Sequence, residues 1–420
     1  MSSITPMLRQ YMGIKQEYPD AILFYRMGDF YEMFFDDAET ASRILGITLT
    51  SRGSLNGQRV PMCGVPHHAS QSYVSKLVES GWKVAVCEQV EDPRESKGIV
   101  KRDVVRVVTP GSMVEEGEVD SKRSLYMAAV WGKESPYGLA HLDLSTAEFR
   151  VTEIEDWDEV LDELGRISPA EVLFLEGDDL PLRRGASGYR MEKLNKEDFD
   201  AAEAEALVKE QLGVTSLAGF GCEEMERGIV AAGAIVHYLH RTQKGKPDHI
   251  KEITSYRLGD YMFLDESTTV NLELFRTMRR QSVKGTLFHV LDRSVTSMGS
   301  RELRRWIGYP LVDIRSIRRR LAAVASFRDD RILREGMREQ LAGIYDLERL
   351  NGRISLGRAN ARDLVALKWS AARLPDIKRR LTGSASERLA EIGAELDTLQ
   401  DVGELIERAI CEDPPISVKE

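Results

Sequence analysis

The period of the hydrophobic pattern changes along these 420 residues, and that change most limits what the chain can fold into. Up to Pro110 helical and strand periods alternate, and from about Leu264 onward only helical spacing remains. No single uniform architecture satisfies both regimes, and at about 100–200 residues per domain the length predicts two to four domains. The first, residues 1–110, reads as mixed α/β. Thr5-Pro6 opens a helix with an N-cap and a proline at its first position, and Met7, Tyr11, Ile14 and Tyr18 share one face. Ala21 to Tyr25 reads as a buried strand, Tyr31 to Leu45 as a helix, Ile47–Ser51 and Arg59–Cys63 as short strands. A helix at Ser70–Ser80 and strands at Lys83–Cys87 and Asp103–Val108 complete the unit before the Thr109-Pro110-Gly111 loop.

Residues 111–123 are polar enough to read as a linker. Three strands then follow in a meander, Ser124–Trp131, Tyr137–Asp143 and Ala147–Ile154. A helix (Asp158–Ile167), a strand (Glu171–Leu175) and helices near Ala202–Leu212 and Glu224–Arg241 come next. Three antiparallel strands followed by alternating α and β outline a ribonuclease-H-like fold over residues 124–247. Residues 258–420 read as a helical array, with Ile317/Leu321/Val324 and Leu347/Leu350/Ile354 at helical spacing, and as an incomplete unit. The predicted fold class is therefore multidomain α/β plus all-α.

Charge is segregated in the same way. Residues 1–110 are net zero, 111–274 net −17, 275–320 net +9 and 321–420 net −2, within a total of −10. The basic block, with Arg276, Arg279, Arg280, Lys284, Arg301, Arg304 and Arg305, is expected to pair with the acidic neighbour, with phosphate as the other reading. The four cysteines are far apart and form no Cys-x-x-Cys pair, which argues against a disulfide scaffold and a zinc ribbon. No run approaches the roughly 18 apolar residues that span a bilayer, and the first residues carry no secretory pattern, so a reduced, cytoplasmic chain is expected.

The most informative string runs from Phe24 to Ala38 and places Phe30 and Glu32 at a glycine-marked strand-to-helix junction. An exposed aromatic beside a carboxylate suits a minor-groove reader. Driving an apolar wedge between base steps costs on the order of a few kcal/mol, and stacking a ring on a base returns roughly 1–3 kcal/mol. The two nearly cancel on sound duplex and favour insertion where a pair is already weak. Glu32 repels phosphates and recovers that loss only at a displaced base, which disfavours matched DNA. The alternative is that Phe30 and Phe34 pack in the core and Glu32 is a helix N-terminal charge.

Gly28-Asp29-Phe30-Tyr31-Glu32-Met33-Phe34 and Pro61-Met62-Cys63-Gly64-Val65-Pro66-His67-His68 resemble the mismatch-recognition domain of the bacterial MutS family. The similarity continues through Cys87 to Pro93, Val107 to Gly111, Asn271 to Leu274 and Val295 to Arg301, with a short match at Asp346-Leu347-Glu348-Arg349. The resemblance implies a mismatch reader, a connector and the first part of a helical core or lever. It implies that Phe30 stacks, that Glu32 contacts a base, and that Arg52 lies near the DNA backbone. It also implies mismatched double-stranded DNA and a MutL-like repair factor as partners, and a homodimeric parent that uses ATP and Mg. A phosphate-binding loop of the form Gly-x-x-x-x-Gly-Lys-Ser/Thr does not occur here, since Gly245-Lys246 is followed by Pro247. No ATP hydrolysis and no cofactor are therefore expected of this chain itself.

Two other classes compete. A metal-dependent nuclease on the middle unit needs several converging carboxylates, and Asp143 and Glu148 on adjacent strands supply two. An interaction module would use the acidic middle to dock a repair partner. Cys63 with His67 and His68 lacks a fourth ligand at metal-site spacing and reads as loop packing.

Overall fold

A computed structural model describes residues 5–55, 57–91, 98–114, 121–175, 190–195 and 199–415. Strand alternation builds the first unit: α1 (Pro6–Glu17), β1 (Ala21–Met27), β2 (Phe30–Phe34), α2 (Phe35–Leu45), β3 (Thr50–Leu55), β4 (Gln58–Pro66), α3 (Ser70–Glu79), β5 (Lys83–Gln89) and β6 (Arg102–Val108). The six strands lie in the order β3-β4-β2-β1-β5-β6, antiparallel except where β1 runs parallel to β5. Because successive side chains point to opposite faces, Leu23, Tyr25 and Phe34 pack under Leu8 and Tyr11 of α1. Ile22, Phe24, Tyr31 and Met33 face Ala38 and Ala41 of α2 and Val74, Leu77 and Val78 of α3.

The helix expected from Tyr31 begins four residues later. Phe30–Phe34 is a strand with both edges paired, to β1 through Met27↔Phe30 and Tyr25↔Glu32, and to β4 through Glu32↔Gly64 and Phe34↔Met62. The apolar spacing of Phe34, Ala38, Ala41 and Leu45 does belong to a helix face. The residues before it alternate with period two, and two flanking strands supply partners that a helix start lacks. Phe35, at φ 54°, makes the turn from strand to helix.

The second unit contains β7 (Met127–Trp131), β8 (Tyr137–Asp143), β9 (Glu148–Ile154), α4 (Trp157–Ile167), β10 (Glu171–Leu175), β11 (Arg190–Leu194), α5 (Ala204–Leu212), α6 (Glu226–Gln243) and the short β12 (Thr254–Ser255). Its sheet order is β11-β10-β7-β8-β9-β12, with β7, β8 and β9 antiparallel and β10 parallel to β7. One face is closed by α6 through Ile229, Ala232, Ile235 and Leu239, the other by α4 through Val160, Leu164 and Ile167. The polar β11 carries no strand signal of its own and forms by pairing in parallel with β10.

The rest is helical: α7 (Glu266–Asn271), α8 (Leu287–Leu291), α9 (Ser297–Gly308), α10 (Ile314–Asp329), α11 (Arg331–Ala342), α12 (Leu347–Ser355), α13 (Ala361–Ala371), α14 (Leu374–Thr382), α15 (Glu387–Glu395) and α16 (Gln400–Ala409). Met337, Leu374, Ile377, Leu381 and Leu389 form a small core there.

The units meet through buried polar contacts. Glu171 on β10 accepts from Thr109 Oγ1 at 2.7 Å, from the Gly111 amide at 3.3 Å and from Tyr238 Oη at 2.9 Å. Burial pushes its carboxyl upward, and the Thr109 and Tyr238 hydroxyls offset only part of that. Lys83 on β5 bonds both Asp20 and Glu192 of β11. Gly111, Ser112, Met113 and Val114, expected in a solvated linker, are buried, with Met113 in the first core and Val114 in the second. Residues 115–120 of that stretch lie outside the described residues.

The tightest helix-on-sheet approach is at Gly138 of β8, where a Cβ would come 2.0 Å from the Arg227 carbonyl oxygen of α6. Gly138→Ala is expected to destabilise the chain by about 1–3 kcal/mol through overpacking. A lowered midpoint in thermal unfolding followed by circular dichroism checks this.

Candidate nucleic-acid interface

The hairpin joining β1 to β2 turns at Gly28-Asp29, with Gly28 in the left-handed region at φ 59°. Arg26 Nε donates to the Gly28 carbonyl at 2.5 Å, and the His67 amide donates to the Asp29 carbonyl at 2.8 Å, tying the turn to the end of β4. Phe30 opens β2 and is 48% exposed, while Tyr31, Met33 and Phe34 are sealed. The ring therefore projects from a backbone fixed on both sides. Glu32 follows on the same face of the strand, its side chain 14% exposed. The core-packing reading of Phe30 fails, whereas it holds for Phe34, which lies edge-on to Tyr11 with ring centroids 5.0 Å apart.

Arg52 lies on β3, inside a register shift between Ser51 and Ser54. Its Nη1 donates to Glu32 Oε1 at 2.8 Å and Oε2 at 2.7 Å. The structure thus places the three residues expected at the DNA on one sheet, Phe30 and Glu32 on β2 and Arg52 on β3, and adds an ion pair between two of them that spacing alone does not reveal.

A brace behind the hairpin was not legible in the sequence. Tyr31 Oη donates to Glu88 Oε1 on β5, and burial, reinforced by the Glu88 charge, pushes the phenol upward. Arg26 and His67 approach the same carboxylate at 3.9 and 3.8 Å, and the Arg26 guanidinium lies 5.6 Å from the Tyr31 ring centroid. Glu88 and His67 both fall within the strings that resemble the family, but their meeting depends on the parallel β1–β5 pairing. Cys63 points inward, its thiol donating to the Ala38 carbonyl at 3.4 Å, and burial pushes it up to about 11.

The carboxylates of the middle unit are held by internal hydrogen bonds. Asp143 accepts from the Leu125 amide at 3.0 Å, the Ser145 amide at 2.9 Å and Ser145 Oγ at 2.6 Å, and Glu148 accepts from Tyr126 Oη at 2.6 Å. Among the described residues no three His, Cys, Asp or Glu gather as a metal site. In the basic block, Arg301 donates to Asp346 at 2.7 and 2.8 Å and to Glu348 at 2.6 Å, while Arg305 pairs with Glu302. The pairing is intramolecular as expected; the hydrogen-bonded partners of these two lie in the helical array, while the Glu148 charge of the acidic middle unit also acts on Arg305. The physical reason is local: Asp346 caps the start of α12 by accepting from the Arg349 amide, which holds it beside α9. Among the described residues no helix is long and apolar enough to cross a membrane.

A projecting aromatic ring with an ion-paired carboxylate beside it on a braced hairpin, ahead of a second α/β unit and a helical array, defines a multidomain α/β and helical chain. Residues 5–117 match MutS domain I, residues 125–251 MutS domain II and residues 267–420 MutS domain III. The chain belongs to the MutS family and matches its N-terminal half. It is 44% identical over 426 residues to the DNA mismatch repair protein MutS of Halothermothrix orenii, covering 100% of this chain and 47% of that protein. It is 45% identical to the proteins of the same name from Symbiobacterium thermophilum, covering 99% of this chain and 48% of that protein, and Alkaliphilus oremlandii, covering 100% and 49%. The chain thus spans about half the length of the curated relatives it matches.

Tyr31→Phe removes the donor to Glu88, and because the acceptor is charged it is expected to cost about 1.5–3 kcal/mol. Thermal unfolding, with faster amide hydrogen exchange at Gly28 to Phe30, checks it.

Proposed function

We propose that this chain recognises double-stranded DNA carrying a mispair or a small unpaired loop, as the reading component of DNA mismatch repair. The observation that carries this reading is Phe30, half-exposed at the first position of a strand whose Tyr31, Met33 and Phe34 are sealed, with Glu32 on the same face. Phe30 stacks from the minor groove and Glu32 hydrogen-bonds the displaced base. Smooth bending of a short site costs on the order of 1–6 kcal/mol, and a defect lowers both that cost and the cost of unstacking. The reader responds to local weakness rather than to sequence.

The middle unit is read as a ribonuclease-H-like connector, which the strand order β11-β10-β7-β8-β9 supports, and the helical array as part of a core or lever. Docking of a MutL-like factor, homodimer assembly, a cytoplasmic location and a relay to an ATP- and Mg-dependent partner domain are proposed on family membership. The Glu171 and Lys83 contacts give such a relay a stiff path from the reader into the middle unit.

The test is a fluorescence titration of the full chain against labelled duplexes with and without a single mispair. Phe30→Ala is expected to abolish the preference for the mispair, and losing one stack worth roughly 1–3 kcal/mol corresponds to about 5- to 150-fold in affinity. Glu32→Ala is expected to strengthen binding to matched DNA and narrow discrimination. Retention of the full preference in Phe30→Ala would show that the ring is not the wedge.

A further inference from the structure

An acidic side chain at the working face of a DNA reader poses an electrostatic difficulty, because it meets phosphates at every position scanned. Arg52 sits where it can meet that difficulty. Its Nη1 alone holds both Glu32 oxygens, at 2.8 and 2.7 Å, and the guanidinium makes no other hydrogen bond or ion pair among the described residues. The rest of its planar fork of donors is left available to an oxyanion. Arg52 side-chain exposure is 48% against 14% for Glu32, so the cation lies outside the carboxylate.

Three backbone features place it there. The register shift between Ser51 and Ser54 re-aims the side chain, as bulges do. Gly53, within the same shift, has φ 74°. On β4, the strand between those of Arg52 and Glu32, it is Gly64 that pairs with Glu32. No side chain at that position separates the two charges.

We infer that Arg52 is an exchangeable counterion that sets specificity by screening Glu32 on sound duplex and releasing it at a defect. This rests on the base-reading role of Phe30 and Glu32 proposed above. On matched DNA, Nη1 keeps the carboxylate neutralised while the free edge of the fork contacts a phosphate. At a displaced base, Glu32 leaves for a base donor and Arg52 turns wholly to the backbone. An exposed ion pair contributes little to stability, so it separates readily. Arg52 is thus more than a backbone contact, because its effect depends on whether Glu32 is engaged elsewhere.

The test is a double-mutant cycle with Arg52→Gln, Glu32→Gln and the double variant in the full chain. Each is titrated by anisotropy against one labelled duplex of about 30 base pairs, matched or with a single unpaired thymidine, at one salt concentration. With Glu32 present, Arg52→Gln is expected to weaken matched binding about tenfold and defect binding only about two- to threefold, so the ratio rises. With Gln at position 32, Arg52→Gln is expected to weaken both duplexes by the same two- to threefold factor, the loss of about one phosphate contact. Arg52→Lys, which keeps the charge, is expected to restore most of the matched-duplex affinity. Equal losses on both duplexes whichever residue occupies position 32 would overturn the inference and leave Arg52 a plain phosphate contact. If Glu32→Gln and Phe30→Ala both leave the defect-to-matched ratio unchanged, the base-reading role itself fails, and with it this inference. A narrowed ratio in Glu32→Gln without coupling to Arg52 overturns the counterion role alone. Unchanged melting curves for the exposed Arg52 variants separate these outcomes from misfolding.

Discussion

The strand Phe30–Phe34 is the constraint on which the placement of Phe30 and Glu32 depends. Lying between β1 and β4, its backbone is paired on both edges, so its side chains have only two directions available. Tyr31 and Met33 take the core side against α2 and α3, which leaves Phe30 and Glu32 on the other. A slip of one residue would exchange these sets, burying the charged group and exposing the tyrosine. The brace at Glu88 and the tie from His67 to Asp29 hold the same hairpin from behind. The proposed insertion of Phe30 into a stacked duplex would draw on that rigidity, because a mobile ring would lose entropy on insertion.

Electrostatics in this chain are organised by contact rather than by net charge. The acidic middle and the basic block invite the idea of two facing surfaces. The ion pairs of Arg301 and Arg305 lie within the helical array, with Glu148 of the middle unit also acting on Arg305, and Arg150, 4% exposed, lies with its guanidinium 4.3 Å from the Tyr256 ring centroid. Aromatic faces stabilise such a cation without a carboxylate. Asp292, drawn upward by burial but held down by Lys122, Ser294 and Ser300, ends at about 2 and remains charged at any ordinary pH. It pins the residues entering the middle unit to the helical array, as does the Arg301 donation to the Ser121 carbonyl.

These joints couple the first unit to the second. Glu171 gathers Thr109, Gly111 and Tyr238, so the crossing from the first sheet to the second is a set of buried hydrogen bonds. Breaking them would leave a buried carboxylate without donors, a costly state. The two α/β units are thereby favoured to move together.

Much of this was determined by the amino-acid order alone. Period-two and helical spacing placed the meander, the α4 and α6 helices and the helical array close to where they lie, because local geometry and burial on one face act over a few residues. The string around Phe30 and Glu32 carried the proposed candidate site, since those residue types in that setting have a physical use together. Tertiary structure decided the rest. Phe30–Phe34 became a strand because β1 and β4 came from either side, and β11 formed because β10 offered an edge. Part of the expected linker, Gly111–Val114, was drawn into two cores. The Arg52–Glu32 pair spans twenty positions and two strand steps, and the Tyr31–Glu88 brace spans fifty-seven. Contacts at that separation are set by sheet order and register, which arise from the packing of the whole unit and leave no local periodicity to read.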